Sequence, residues 1–330
     1  MKNDGIIRKM TEELVKAWET GETDILDDLI LTDASIEFTM FGRGICIAEL
    51  KHWMSERARP VSYTRFDIVN YVCLMEQGKA QETYSLIGLF ADKAKGNWEQ
   101  FQFEGIFANT VLLTENGWCF GSIKFELTDA NTSIWPKMFN DGITVIPSGG
   151  DDSFVANWLV KQHDDRIGWY PDKELPIIVP EVDAPWTVIS NRENIGTEEE
   201  QIEEVFYRYA YGVDNGLFEL YEDVFTDDAV IKYFDDQPWD KRTVTEMLKF
   251  EKQGGCRVIH TGFHKDIRIF GDRAVGYVYL RSITAPDYLP ITEGMIRKRW
   301  IWARYRLEYV KRDGKWRIHR LFFYPGFLAI

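Results

Sequence analysis

The sequence predicts an α+β chain in which one domain plan is used twice. Three observations lead there. The stretch 199–231 (EEQIEEVFYRYAYGVDNGLFELYEDVFTDDAVI) reads as an amphipathic helix, a glycine turn, a second short helix and the start of a strand, and residues 11–36 repeat that layout more weakly. Laid on each other without a gap, Gly21 falls on Gly216, Asp33-Ala34 on Asp228-Ala229, Glu19 on Asp214 and Leu14 on Tyr209. Each copy then continues with a third helix and two strand–turn–strand segments. So long a period marks a duplicated domain, not a solenoid.

The elements follow in order. Residues 5–19 carry Ile6, Met10, Leu14 and Trp18 on one predicted helical stripe, and Gly21 stops that helix. A short acidic helix then runs into a strand, in ETDILDDLILTDASIEF and again in DNGLFELYEDVFTDDAVIKYF. IAELKHWM (47–54) and VTEMLKFE (244–251) read as the third helices. Residues 66–90 parallel 264–283, each a strand, a Gly-centred turn and a strand. Residues 101–127 parallel 300–323, two long strands around Asn116-Gly117 and Asp313-Gly314, dipeptides that supply the positive φ angles of hairpin turns. Residues 129–193 fit neither copy. They are rich in Pro, Gly and Trp (Trp135, Trp158, Trp169), too apolar for a pure linker, and read as a packed strap or as a lid. The domain boundaries expected are thus 1–128, a connecting segment 129–193, and 194–330.

Composition narrows the function classes. The 330 residues carry 39 basic against 53 acidic side chains, a net charge of −14, which argues against nucleic acid as the main partner. The apolar runs fall short of a membrane span, and the N-terminus lacks an apolar signal core, so a cytoplasmic protein is expected. Cys46, Cys73, Cys119 and Cys256 are scattered without CxxC pairing and read as reduced thiols. His52 and His163 have no ligand-spaced partners, so neither metal nor cofactor is expected. FGRG (41–44) and PSGGDD (147–152) read as Gly-containing loops too short and badly placed to hold phosphate. The 12 Trp, 15 Tyr and 21 Phe exceed what a core alone explains simply; a pocket for a flat, apolar ligand draws on the same residues.

Three helices followed by a strongly curved antiparallel sheet suggest a cone-shaped, cystatin-like domain. In the second copy the residues YRYAYGVDNG (207–216), FTDDAV (225–230), the pair His260/His264 before FGDRA (270–274), and ARYRLEYVKRDGKWRI (303–318) resemble the SnoaL-like group of the nuclear transport factor 2-like superfamily. The first copy keeps LTDASIEF, GKA (78–80), GIFAN (105–109) and NGW (116–118). The resemblance implies the fold and leaves the activity open, because this fold hosts dehydratases, isomerases, cyclases, epoxide hydrolases and plain binding proteins. It also implies pairing through the sheets, as an internal pseudo-dimer or a homodimer.

Tyr209, Asp214 and His260 look like the Tyr, Asp and His pattern of the dehydratase-type members, including bile-acid and scytalone dehydratases; the resemblance would put all three in the cone's mouth. Imidazole titrates near neutrality and can take or give a proton. An aspartate beside it would fix its tautomer, and a phenol could polarise a carbonyl. The bland reading of each residue is a core tyrosine, a turn-shaping aspartate and a structural histidine. His264 is the rival base or a substrate contact. Arg304 and Arg306 share a strand face with Glu308, so either could bind a substrate carboxylate or carbonyl or form an ion pair instead. His319 reads as a surface residue. The first copy has Leu14, Glu19, Phe66 and Asn70 at the positions of Tyr209, Asp214, His260 and His264, so the same scheme cannot run there; Glu19 could act alone if burial raised its pKa. The function expected is cofactor-independent acid–base chemistry, a dehydratase or isomerase acting on a largely apolar, cyclic small molecule. The alternatives are a non-catalytic binding or scaffold protein, and a hydrolase that activates water.

Overall fold

The computed structural model describes residues 3–38, 42–57, 63–94, 97–130, 177–189, 196–233, 237–253, 256–286 and 299–325. Trp135, Trp158, Trp169 and the PSGGDD stretch lie outside them. Two compact units divide the chain, Met1–Glu193 and Asn194–Ile330.

The first unit opens with α1 (Asn3–Thr20), α2 (Leu26–Leu29), β1 (Ile30–Phe38), β2 (Gly42–Ile45) and α3 (Ile47–Arg57). Four long strands follow: β3 (Tyr63–Glu76), β4 (Lys79–Ala94), β5 (Asn97–Thr114) and β6 (Gly117–Ala130). Their order in the sheet is β2-β1-β6-β5-β4-β3. Gly21 ends α1 as expected, at φ 75°, with its N–H returned to the Ala17 carbonyl. The buried stripe of α1 is Ile7, Met10, Leu14 and Trp18, whereas Ile6 is exposed. Either isoleucine satisfies the helical period; packing against the sheet selects Ile7. The FGRG segment is not a loop, since Gly42–Ile45 forms β2 and pairs with β1.

Residues 178–189 cover the outer face of this sheet. Strand alternation turns Ala80, Glu82 and Tyr84 toward the helices and Gln81 the other way. Two short helices, α4 (Pro180–Asp183) and α5 (Pro185–Val188), bury Ala184 and Trp186 there. Gln81 Nε2 donates to the Asp183 carbonyl at 2.8 Å, and Lys124 pairs with the Asp183 carboxylate at 2.9 Å.

The second unit repeats the plan with α6 (Glu198–Asn215), α7 (Phe218–Asp223), β7 (Phe225–Lys232), α8 (Lys241–Gln253), β8 (Cys256–Phe270), β9 (Arg273–Pro286), β10 (Arg299–Arg312) and β11 (Lys315–Pro325). The sheet order is β7-β11-β10-β9-β8. Strand β8 begins at Cys256, ahead of the expected start at 264, which puts His260 within the ladder. The sheets are not wholly antiparallel: β1 runs parallel to β6, and β7 parallel to β11.

The repeat extends to register. In the first unit Ile30 pairs with Phe120 and Ser35 with Ser122; in the second Phe225 pairs with Ile318 and Val230 with Arg320, the equivalent positions. A bulge skips Gly121 opposite β5, and its counterpart skips His319 opposite β10. Both hairpin turns are built on a glycine of positive φ, Gly117 at 121° and Gly314 at 75°. The chain therefore holds two α+β cones in tandem, each with helices packed across one face of a curved sheet.

Candidate active site

Helix α6 builds the site. Thr197 and Glu200 form a capping box at its start, and Gly216 at φ 70° ends it. Ile202, Val205, Phe206, Tyr209 and Val213 are buried against the sheet at helical spacing. This phase aims the Tyr209 phenol into the core and leaves Asp214 at the last turn, facing β8.

Asp214 clamps the helix end to that strand. One carboxylate oxygen accepts the backbone N–H of His260 at 2.7 Å, and the other pairs with His260 Nδ1. The side chains keep only 10 % and 8 % of their surface exposed, so the pair is held in a poorly solvated place without being sealed off. A carboxylate at Nδ1 holds the ring proton there and leaves Nε2 as the basic nitrogen. The same carboxylate balances the imidazolium that forms when Nε2 takes a proton.

Tyr209 lies edge-on to this imidazole, with ring centroids 6.0 Å apart. Its hydroxyl is 2.9 Å from that of Tyr233 and 3.5 Å from that of Tyr305. Tyr221 packs on the Tyr209 ring at 5.5 Å. Burial, and then the neighbouring phenols of Tyr233, Tyr305 and Tyr221, push Tyr209 well above the ordinary tyrosine range. Burial likewise raises Tyr305 and Tyr221. These phenols stay neutral, and the Tyr221 hydroxyl is buried without a hydrogen-bond partner. Sequence reading missed Tyr221, Tyr233 and Tyr305. Tyr305 was legible as a member of the alternating row Ala303, Tyr305, Leu307 and Tyr309, all buried.

His264 shares the inner face of β8 with His260 but has a different partner. Its Nε2 lies 2.8 Å from the Tyr309 hydroxyl. Burial pushes its pKa down to about 3, so it is neutral across the physiological range and unsuited to carrying a proton as imidazolium. Gly262 stands between the two histidines. A Cβ there would come within 3.0 Å of Val278 and 3.3 Å of Phe206, so glycine lets α6 approach the strand closely.

Arg304 and Arg306 do not join the group. Successive side chains of β10 alternate, and with Tyr305 turned inward both arginines point to the outer face. The Arg304 guanidinium lies over the Tyr277 and Tyr324 rings, at 5.5 and 5.1 Å. Arg306 pairs with Glu308 at 2.6 Å, the ion-pair alternative. His319 is partly exposed beside Thr226 and Asp228. Among the described residues no group of three or more His, Cys, Asp or Glu is arranged to hold a metal ion, and no helix is long and apolar enough to cross a membrane.

The first unit carries the same anchor without the imidazole. Glu19 Oε1 accepts the Phe66 N–H at 3.4 Å, as Asp214 accepts that of His260. Phe66 pairs with Gly88 and His260 with Ser282, equivalent registers. Glu19 is partly exposed and paired with Lys16, so the burial that would let it act alone is not present.

Residues 197–321 match the SnoaL-like domain family. That match spans most of the second unit, which is thus similar in sequence to the SnoaL-like domain family. No curated protein matches the sequence. Solved structures similar to this chain include a nuclear transport factor 2-like superfamily protein from Salmonella enterica serovar Typhimurium, with 8 % identity over 38 % of this chain and 92 % of that one and a TM-score of 0.34. A conserved protein from Planctomyces limnophilus is 17 % identical over 39 % and 98 %, at 0.35. A hexachlorocyclohexane dehydrochlorinase is 20 % identical over 40 % and 90 %, at 0.31.

Proposed function

We propose that the SnoaL-like unit is a cofactor-independent acid–base catalyst, a dehydratase or isomerase whose substrate is a largely apolar, cyclic hydroxy-carbonyl compound. The observation that carries this reading is the Asp214–His260 pair, held by two contacts with Nδ1 engaged and the Tyr209 ring against the imidazole. In a dehydration, His260 Nε2 removes the proton α to the carbonyl and becomes imidazolium opposite Asp214. The carbonyl oxygen takes on enolate charge and is met by the neutral phenols of the Tyr209–Tyr233 pair. The enolate expels the β-hydroxyl, which leaves as water with the proton that His260 returns. An isomerisation differs only in returning that proton to another carbon. The aromatic surroundings, Phe206, Phe225 and Phe323 with the four tyrosines, favour an apolar ring over a charged substrate.

Screening cyclic hydroxy-carbonyl compounds for turnover, with His260→Ala as control, tests the proposal. The expected result is turnover in wild type that is lost in the variant while substrate affinity is largely kept. A compound that binds equally well to both and is converted by neither would make the unit a binding module. The same dyad could also activate water, and solvent-derived oxygen in the product would move the assignment to a hydrolase.

A further inference from the structure

The first unit contains a buried polar centre that the proposed chemistry does not use. Glu82 on β4 is fully buried, in the inward row with Ala80, Tyr84 and Leu86. Its Oε1 accepts from Asn109 Nδ2 of β5 at 2.7 Å. Its Oε2 lies 2.7 Å from the Thr11 hydroxyl of α1 and 3.0 Å from the Tyr71 hydroxyl of β3. One carboxyl thus ties α1 to three strands.

The hydrogens decide its state. Thr11 Oγ1 is also 3.0 Å from the Ile7 carbonyl, yet a hydroxyl has one hydrogen. With Glu82 ionised, Tyr71 and Asn109 each donate to it, but the one Thr11 hydrogen faces two acceptors, the Ile7 carbonyl and Glu82 Oε2. With Glu82 neutral the count closes: the acid O–H donates to Thr11, Thr11 donates to the Ile7 carbonyl, Tyr71 donates to Oε2 and Asn109 to Oε1. The surrounding ionisable groups give a carboxylate little support. Arg8 of α1 lies with its guanidinium 4.3 Å over the Tyr71 ring and is paired with Glu12. Tyr71 and Cys73 on β3 and Tyr84 on β4 are acids themselves, and Tyr71 and Tyr84 are raised well above their usual range. Lys124 and Asp183 pair with each other on the other face of the sheet.

We propose that Glu82 is a proton-dependent latch, seated as the neutral acid when α1 is docked and freed by ionisation to let α1 lift from the sheet. Burial, outweighing its three hydrogen bonds, pushes the folded carboxyl up to about 7 from 4.5. The folded state therefore binds more protons between those values. Its stability falls as pH rises through that window and is level above it.

The experiment is carboxyl carbon-13 NMR of selectively labelled full-length protein, with Glu82→Gln to assign the signal, together with hydrogen exchange of the α1 peptides from pH 5.5 to 8. The latch predicts a Glu82 midpoint near pH 7. It also predicts α1 protection, corrected for intrinsic exchange, that drops about 30-fold in wild type over that range and stays level in E82Q. A midpoint below pH 5 overturns the proposal, as does an α1 profile identical in both proteins. Should E82Q fail to fold, the wild-type titration and protection profile decide alone.

Discussion

The two units share one framework and differ in what fills it. Around His260 the second unit gathers Tyr209, Tyr221, Tyr233 and Tyr305. The matching positions of the first are Phe66, Leu14, Leu26, Phe38 and Phe107, the last found by counting back from the closing pairs Thr114–Gly117 and Arg312–Lys315. Every hydroxyl and the imidazole have become hydrocarbon. What remains is the carboxylate that anchors the helix end to the strand. Trp18 fills the centre, within 5.2 to 6.2 Å of Phe38, Phe66, Phe103, Phe107 and Phe125. Gly88 and Gly105 make room for this plug, since a Cβ at either would lie 1.9 Å from the Phe103 ring or 2.2 Å from that of Phe125. The difference teaches that the anchor is structural and separable from the groups beyond it. At these matching positions one cone carries hydrocarbon, the other an imidazole and four phenols.

The comparison breaks first at His260. Replacing it with Phe, as at the equivalent position of the first unit, should lower turnover about 10²- to 10⁴-fold. It should also cost about 1–3 kcal/mol in stability, because Asp214 loses its partner in a poorly solvated place. Steady-state kinetics and denaturant unfolding check both; undiminished turnover would remove the imidazole from the mechanism. Next, Gly105→Ala should destabilise the first unit by about 1–3 kcal/mol through overpacking against Phe125 and leave turnover alone, measured by urea unfolding beside activity. Tyr209→Phe and Tyr233→Phe test whether the hydroxyls matter as hydroxyls. Each should lower kcat about 5- to 30-fold, the worth of one hydrogen bond to developing charge, with the far-ultraviolet spectrum unchanged. A rate unaltered in both would reduce the second cone to packing as well. The smallest effect is expected at Arg304: Arg304→Ala should change turnover by no more than about twofold, since its guanidinium stacks on the outer face.

Much of this was legible in one dimension. The duplication, the hairpin turns at Asn116-Gly117 and Asp313-Gly314, and the placement of Tyr209 and Asp214 on a helix and its end follow from spacing and turn chemistry. The outward placement of Arg304 and Arg306 follows from strand parity once it is referred to the buried row Ala303–Tyr305–Leu307. Glu82 is the one acid in the inward row Ala80–Glu82–Tyr84–Leu86, a strand-parity signal, whereas Glu19 matches Asp214 in order and is partly exposed.

The sequence by itself determined the elements, the two-fold plan and the residues able to do acid–base chemistry. Those depend on near neighbours: helical and strand periods, glycines at positive φ, and capping residues. Only the tertiary structure decided which hydroxyls converge, which strand faces turn inward, and that one cone is plugged. Those outcomes rest on register between strands far apart in the chain, where a shift of one residue moves a side chain from the core to the outer face.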